Sequence, residues 1–258
     1  MLANLSQLNS PSSESDTLIF LEDSTEVQRQ AQQLKLASLG RLSASIAHEI
    51  RNPLGAVSHA AQLLLESGGL NSDDRRLCEI IQDHSLRMNQ VIENVLQLSR
   101  NKIPDKVNLI LEEWLMVFVR DFTETRSDSL KITVDIDQPQ RSVLVDPGHL
   151  SQVLNNLCEN AAYFSEQATG EARLLITGQV EPMTDTFVLD VVDYGTGVET
   201  HHINNLFEPF FTTQENGTGL GLYLARELCL INGLQLSYRP SAARGSTFRI
   251  SFNANQKR

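Results

Sequence analysis

Mostly apolar residues recur at alternating spacings of three and four along the first part of the chain. The series is Leu36, Leu39, Ser43, Ile46, Ile50, Pro53, Val57, Ala60 and Leu64. This spacing is a heptad pattern, which predicts a helix from about Glu26 to Ser67 that packs along one seam. The pair Gly68-Gly69 then ends the helix, as is typical of a helix C-terminus.

A second heptad follows directly and predicts an antiparallel partner helix. Asn71 followed by Asp74 is typical of a helix start, with an amide cap and an acid near the positive end of the helix dipole. The seam positions are Leu77, Ile81, His84, Met88, Val91, Val95 and Leu98. One hairpin cannot bury both apolar stripes, so we expect two chains to pair as a homodimeric four-helix bundle.

After this hairpin, helical and strand patterns are mixed. The segment 101–108, which includes Pro104, breaks the heptad and indicates a domain boundary. The patterns predict helices over 109–119, 147–163 and 219–231, and strands over 131–136, 142–145, 173–177, 187–192, 234–238 and 247–252. Strands with helices to one side predict an α+β sandwich.

The first 22 residues are different in character. Residues 1–16 are rich in Ser, Asn and Gln, which is typical of a disordered segment or linker. Thr17 to Glu22 is a short apolar β-type run with no hairpin partner expected nearby. We interpret 1–22 as a linker and the remnant of an upstream, PAS-like sensing domain. The hairpin domain is then expected over 23–102 and the sandwich domain over 103–258.

Composition limits the classes of partner. The chain has 258 residues, is 41% hydrophobic and carries a net charge of −11, which argues against nucleic acid as a direct ligand. Its three cysteines are far apart and lack metal-site spacing, which favours reduced thiols. No apolar stretch is long enough to span a membrane, so we expect a cytoplasmic protein or the cytoplasmic part of an inner-membrane sensor.

His48 is the first candidate for chemistry. With Ile46 and Ile50 on the seam, it falls near the f position of the heptad and is expected to face solvent. A histidine there contributes little to packing, and a neutral imidazole is a good nucleophile near pH 7.

The predicted helix that starts at Pro147 carries Asn156 and Asn160 one turn apart, away from its packing face. Amide oxygens suit a hard cation such as Mg²⁺ that also keeps water and phosphate oxygens. Two solvated asparagines are the equally open alternative.

Two glycine-rich segments indicate a nucleotide site. The run DYGTG (193–197) ends a Val-rich strand, where glycine lets the backbone approach a flat ligand and a carboxylate can accept from an adenine amino group. The run NGTGLGL (216–222) leads into a helix whose N–H groups can bind a polyphosphate. It is neither a Walker A loop nor a Rossmann loop. Between them, FEPFFTT (207–213) is either a loop pinned by a Phe cluster or a mobile lid.

The order and spacing of these segments resemble the histidine kinases of two-component systems. HEIRNP (48–53) looks like the H box, 156–160 the N box, 193–197 the G1 box, 207–211 the F box and 217–221 the G2 box. GSTF (245–248) matches the closing signature of the family, and the resemblance covers roughly 30–252. Residues 32–53 are most similar to sensor kinases of type IV pilus genes, whose partner is an enhancer-binding response regulator.

The resemblance implies a dimeric helical hairpin that carries His48, followed by a Bergerat-type α/β sandwich that binds ATP and Mg²⁺. The implied reaction transfers the γ-phosphoryl group to His48 and then to an aspartate of a response regulator receiver domain. Glu49 would accept a proton from the imidazole, and Asn52 would orient water for dephosphorylation of the partner. The implied nucleotide-site residues are Asn156, Asn160, Asp193, Gly195, Gly197, Phe207, Gly217, Thr218, Gly219, Leu220, Gly221 and Thr247, with Asn156 and Asn160 as metal ligands.

Two positions depart from the family pattern. Tyr163 and Gln214 stand where many relatives carry a basic residue, which leaves the phosphate charge to Mg²⁺, backbone N–H groups and Arg226 or Arg173. An alternative function is therefore a dimeric nucleotide-binding scaffold or phosphatase with weak autokinase activity. A third is a gyrase-like or MutL-like ATPase, against which the heptad hairpin argues.

Overall fold

The computed structural model describes residues 2–8, 16–22, 49–99, 103–124, 130–214, 217–240 and 245–252. The chain divides into two compact units, Met1–Arg100 and Asn101–Arg258. Within the described ranges, no helix combines the length and apolar character needed to cross a membrane.

The first unit begins with a pair of antiparallel strands. β1 (Leu2–Leu8) pairs with β2 (Asp16–Glu22), with Leu2 opposite Glu22 and Leu8 opposite Asp16. The expectation that the run at 17–22 has no hairpin partner is therefore wrong, and residues 2–8 form a strand where a disordered segment or linker was expected. β1 has no β-branched or aromatic residue and so gives little strand signal, whereas the pairing of its backbone with β2 is a tertiary effect that propensity does not contain.

The turn between the first two helices follows the predicted chemistry. α1 runs through residues 49–66, and Gly68 after it has φ of 70°, a left-handed conformation typical of a helix C-terminus. α2 (Ser72–Ser99) starts after Asn71, whose Oδ1 accepts from the Asp74 N–H at 2.8 Å. The predicted amide cap is confirmed.

α1 and α2 form an antiparallel hairpin in which Arg51 pairs with Glu93. Most of the predicted seam positions that the structure describes are exposed to solvent. Ile50 is 42% exposed and Val57 is 48% exposed. Four other seam residues are also exposed: Leu64, Leu77, Ile81 and Met88. The buried positions in the described part of the hairpin are instead Leu54, Ala61, Cys78, Ser85, Asn94 and Leu96. A single hairpin therefore leaves the predicted seam as an apolar surface.

The second unit contains two sheets. β3 (Val107–Ile110) pairs antiparallel with β5 (Ser142–Val145). The larger sheet has five strands in the order β4-β6-β7-β9-β8, and only its β4–β6 pair is parallel. Its strands are β4 (Lys131–Ile136), β6 (Arg173–Glu181), β7 (Thr186–Asp193), β8 (Leu234–Pro240) and β9 (Ser246–Phe252).

Three helices accompany these sheets. They are α3 (Leu111–Glu124), α4 (Pro147–Thr169) and α5 (Gly221–Ile231), together with a short 3-10 helix at Thr200–Asn205. α4 packs on β6, β7 and α5, and its predicted packing residues are all buried: Leu150, Val153, Leu154, Leu157 and Ala161. The predicted α+β fold is confirmed. The helix expected from Leu109 starts at Leu111, because Val107–Ile110 pairs with β5 instead.

Helix α4 is capped at both ends. Asp146 is the N-cap residue, and its Oδ1 accepts from Gly148 N at 2.9 Å and from His149 N at 3.1 Å. Desolvation opposes ionisation here, yet these hydrogen bonds and those from neighbouring groups lower the pKa of Asp146. Gly170, with φ of 76°, ends the helix.

A buried ion pair fixes the register of the central strands. Asp190 of β7 is paired with Arg249 of β9, with Nε–Oδ1 and Nη2–Oδ2 distances of 2.7 and 2.6 Å. This bidentate geometry is the strong form of the interaction. The same register brings the end of β7, at Asp193, beside the start of β9, at Ser246.

Candidate functional site

The carboxylate of Asp193 lies at the end of β7 and is 2% exposed. Its Oδ1 accepts from the backbone N–H groups of Gly195, at 2.8 Å, and Ser246, at 2.9 Å. Burial raises the pKa of Asp193, although hydrogen bonds from Gly195 and Ser246 favour the ionised form. A buried carboxylate at a strand end can recognise a hydrogen-bond donor on a ligand.

Glycines surround this carboxylate because the backbones come too close for side chains. A Cβ on Gly245, where φ is 111°, would lie 2.2 Å from the Asp193 carbonyl oxygen. Gly197, with φ of 79°, would place a Cβ 3.3 Å from the Gly245 carbonyl oxygen. At Gly195 a Cβ would meet Phe164 at 3.1 Å. The glycines of the G1 box (193–197) therefore pack closely against the start of β9.

Helix α4 links this unit to the second glycine-rich segment. The Ser165 hydroxyl accepts from Tyr194 N at 2.9 Å, at the G1 end of the helix. Nearer the helix start, Asn156 Oδ1 lies 3.1 Å from the position that a Cβ on Gly221 would occupy. Asn160, one turn beyond Asn156, is half-buried. The structure thus brings both glycine-rich segments against the one helix that carries the two predicted amides.

Helix α5 begins without a side-chain cap. Its N-cap residue is Leu220, which makes no side-chain capping hydrogen bond, and Gly221 provides no side chain. The first N–H groups of a helix have no partners within the helix, so an uncapped N-terminus favours an anion. The Asn156 amide oxygen lies beside this helix start, and neutral amide oxygens are ligands that suit a hard cation.

Residues 207–213, here called the F segment, are folded against the loop that precedes α5. Phe210 has φ of 68°, uncommon for a residue with a side chain, and its N–H donates to the Gly219 carbonyl at 2.9 Å. A Cβ on Gly219 would lie 2.4 Å from Phe210 C. Gly217 N donates to the Gln214 carbonyl at 3.1 Å, and Leu220 N to Thr218 Oγ1 at 3.3 Å. The predicted Asn216 lies outside the described residues.

Two arginines that sequence reasoning offered for phosphate charge lie on aromatic rings. The Arg226 guanidinium is 5.4 Å from the Phe207 ring centroid, and Phe207 packs edge-on against Phe248. The Arg173 guanidinium is 4.3 Å from the Tyr194 ring centroid. Thr247, half-buried, lies in β9 opposite Val192 of β7. The contacts of Phe164 and Ser165 had no sequence signal, because they depend on how α4 meets the sheet.

The remaining predicted residues belong to the first unit. Glu49 and Asn52 are both exposed on α1, which continues through Pro53. His48 lies outside the described residues, so its predicted exposure stays a prediction.

Comparisons with known proteins cover both units. Residues 38–102 match the model of the His Kinase A (phospho-acceptor) domain. Residues 145–256 match the model described as the histidine kinase-, DNA gyrase B-, and HSP90-like ATPase. The chain belongs to the sensor histidine kinase family.

Individual sensor kinases show how far this likeness extends. The chain is 51% identical over 235 residues to the sensor protein kinase PilS of Pseudomonas aeruginosa, covering 91% of this chain and 44% of that protein. It is 29% identical to the sensor histidine kinase ZraS of Escherichia coli K12, covering 86% of this chain and 47% of that protein. The chain thus spans about half the length of the curated relatives it matches.

Solved structures of sensor kinases share the fold. Full-length ShkA in complex with AMPPNP superposes with a TM-score of 0.64 at 23% identity, covering 83% of this chain and 45% of that chain. Histidine kinase ThkA in complex with the response regulator protein TrrA gives a TM-score of 0.62 at 22% identity, covering 99% of this chain and 76% of that chain.

The buried carboxylate leads to a stability prediction. Because the folded-state pKa of Asp193 is raised, the folded protein loses stability as the pH rises above the ordinary Asp value of 3.8. Asp193→Asn keeps the oxygen that accepts both backbone hydrogen bonds and removes the buried charge. We expect the variant to be at least as stable as the wild type at pH 7, with a smaller difference near pH 4.

Urea unfolding can be followed by fluorescence of Trp114, the only tryptophan of the chain, which lies in the second unit. Asp135→Asn on β4 is the matched control, because Asp135 is exposed. A clear loss of stability at pH 7 in Asp193→Asn alone would show that the charged form is the stabilising one.

Proposed function

We propose that this chain is a histidine autokinase. It transfers the γ-phosphoryl group of ATP to His48 and passes it to an aspartate in the receiver domain of a response regulator. The observation that carries the proposal is the convergence of the buried Asp193 carboxylate, the uncapped N-terminus of α5 and the Asn156 amide on one helix of the ATPase-like unit. The match of residues 38–102 to a phospho-acceptor domain supplies the other half of the reaction.

Each part of the nucleotide has residues suited to it. The Asp193 carboxylate accepts a hydrogen bond from the adenine amino group, and Gly195, Gly197 and Thr247 border the base. The segment Gly217–Gly221 offers backbone N–H groups to the phosphates. Asn156 and Asn160 hold Mg²⁺, which neutralises phosphate charge when it is bound. Leu220, which is buried, anchors the loop, and Phe207 supports the pocket through Phe248.

The phospho-acceptor step needs mainly positioning. A ring nitrogen of His48 forms a bond to the γ-phosphorus as the bond to the ADP oxygen breaks, so ADP is the leaving group. Glu49 accepts the proton from the other ring nitrogen and orients the imidazole. Its exposure on α1 leaves the carboxylate accessible for this role.

The uncovered seam of the hairpin supports a homodimer. Ile50, Val57, Leu64, Leu77 and Ile81 are large apolar residues that remain exposed in one chain. A second copy would cover this surface in a four-helix bundle and remove it from water. The response regulator is the proposed phosphoryl acceptor, by analogy with the ThkA complex. From the resemblance of residues 32–53 to sensor kinases of type IV pilus genes, we further infer that the partner is an enhancer-binding regulator and that this chain acts on the cytoplasmic side of a membrane-anchored sensor.

The direct test is incubation of the purified chain with γ-labelled ATP and Mg²⁺. We expect an acid-labile, alkali-stable label on the protein, since phosphohistidine has this stability, and its loss in His48→Gln. His59→Gln, which changes an exposed histidine of α1 outside the predicted seam, should keep the label. Label that persists in His48→Gln would place the acceptor elsewhere.

A second candidate function is a nucleotide-binding scaffold or phosphatase with weak autokinase activity. It is favoured by the half-exposed Tyr163, which packs on Phe164, and by Gln214, whose N–H is bonded to Thr212 Oγ1 at 3.1 Å. Both stand where a cation would help to bind phosphate. Nucleotide binding without label would support this function, and phosphate release without label a gyrase-like ATPase.

Substitution of Asn52 should distinguish autophosphorylation from dephosphorylation of the regulator. It is exposed on α1, four residues after His48, where an amide can orient water towards a phosphorylated partner. We expect Asn52→Ala to retain autophosphorylation and to lose most dephosphorylation of the phosphorylated regulator. The assay compares both rates with those of the wild type and of Asn71→Ala, a helix-cap substitution away from this site. Reduced autophosphorylation with unchanged dephosphorylation would contradict the assignment.

A further inference from the structure

A cluster of three potential metal ligands lies just before the F segment. The side chains of Glu199, His201 and His202 each offer one ligand atom, and these atoms all lie within 4.8 Å of one another. His201 Nδ1 is 3.4 Å from Glu199 Oε2, and the two imidazole centroids are 3.9 Å apart. Among the described residues, this is the cluster of His, Cys, Asp and Glu side chains compatible with a shared ion.

The local backbone explains why these side chains converge. Glu199 precedes the 3-10 helix Thr200–Asn205, and its carbonyl accepts from His202 N at 2.9 Å. In a 3-10 helix the side chains at i and i+3 are eclipsed, so Glu199 and His202 point to the same side. The ring of the adjacent His201 lies close enough to contact the His202 ring.

The chemistry of the three side chains selects a class of ion. Two imidazoles and one carboxylate form a ligand set typical of Zn²⁺, whose fourth position water can fill. Tetrahedral bonds of roughly 2.0–2.1 Å place ligand atoms about 3.4 Å apart, which matches the separation of His201 Nδ1 and Glu199 Oε2. Mg²⁺ prefers oxygen ligands and near-octahedral geometry, so this set differs from that of the Asn156 and Asn160 amides.

The cluster is connected to the F segment through one aromatic contact. The His202 ring meets the Phe211 ring edge-on at 5.3 Å. Phe211 N in turn donates to the Glu208 carbonyl at 3.3 Å, and the preceding Phe210 is bonded to Gly219. An ion that fixes the His202 ring would therefore restrict the segment that leads to the second glycine-rich loop.

We propose that Glu199, His201 and His202 form a site for a borderline divalent transition-metal ion such as Zn²⁺, and that its occupancy rigidifies the F segment through the His202–Phe211 contact. The proposal does not depend on nucleotide binding, because both of its readouts use protein without nucleotide.

The first test is titration of the untagged full chain with Zn²⁺ in the presence of excess Mg²⁺, read with a competing zinc indicator. We expect one more Zn²⁺ equivalent per chain for the wild type than for His201→Gln or Glu199→Gln. His59→Gln, which removes an exposed histidine of α1 outside the predicted seam, should retain that equivalent. Equal stoichiometry and affinity in the wild type and both cluster variants would overturn the site.

The second test is amide hydrogen exchange of the peptide covering residues 206–214. Zn²⁺ should slow exchange several-fold in the wild type and in His59→Gln, and leave it unchanged in His201→Gln. Since His201 does not make the Phe211 contact, this variant removes a ligand without removing the connection. Unchanged exchange in zinc-loaded wild-type protein would overturn the proposed coupling.

Discussion

The packing of backbone around the Asp193 carboxylate is the constraint on which the second unit depends. Oδ1 is held by two backbone N–H groups from different segments, and Gly245 approaches too closely to allow any side chain. The end of β7, the start of β9 and the C-terminal part of α4 therefore meet at one point. The Asp190–Arg249 pair three residues earlier on β7 keeps the two strands in the register that this meeting requires.

The two units are stabilised in different ways. The second unit buries the inner face of its sheet under α4 and α5, and its core is complete within one chain. The hairpin of the first unit leaves Ile50, Val57 and Leu64 exposed to solvent, so the burial of its apolar residues is incomplete within one chain. The hairpin is therefore the part of the chain that we propose pairs with a second copy.

The regular elements were predictable where a local pattern specifies them. The alternating residues of β4 and the short β5 gave bounds that agree with the structure, and the packing face of α4 followed from its helical period. β1 and β3 were not predicted, because their pairing with β2 and β5 depends on tertiary structure and not on their local sequence patterns. The hairpin buries Leu54 and Ala61 rather than the predicted seam, since a heptad marks an apolar face without saying which copy covers it.

The candidate site was predictable in its motifs and not in its supports. Asp193, the glycines and the two asparagines stand out by residue type and order, and the structure brings Gly195 and Gly221 against α4, the helix that carries Asn156. The contribution of Ser165 was hidden, because a serine on a helix is common and only the fold places it at Tyr194. The 3-10 geometry that joins Glu199 to His202 was hidden for the same reason.

The central claim is that the buried Asp193 carboxylate recognises the base of a bound nucleotide. Calorimetric titration of the wild type, Asp193→Asn and the exposed control Asp135→Asn with ATP and Mg²⁺ tests it most directly. Loss of a hydrogen bond to a charged group costs about 1.5–3 kcal/mol, so the account predicts ATP affinity weakened by about tenfold or more in Asp193→Asn alone. Equal ATP affinity in all three proteins, with Asp193→Asn still folded, would contradict it.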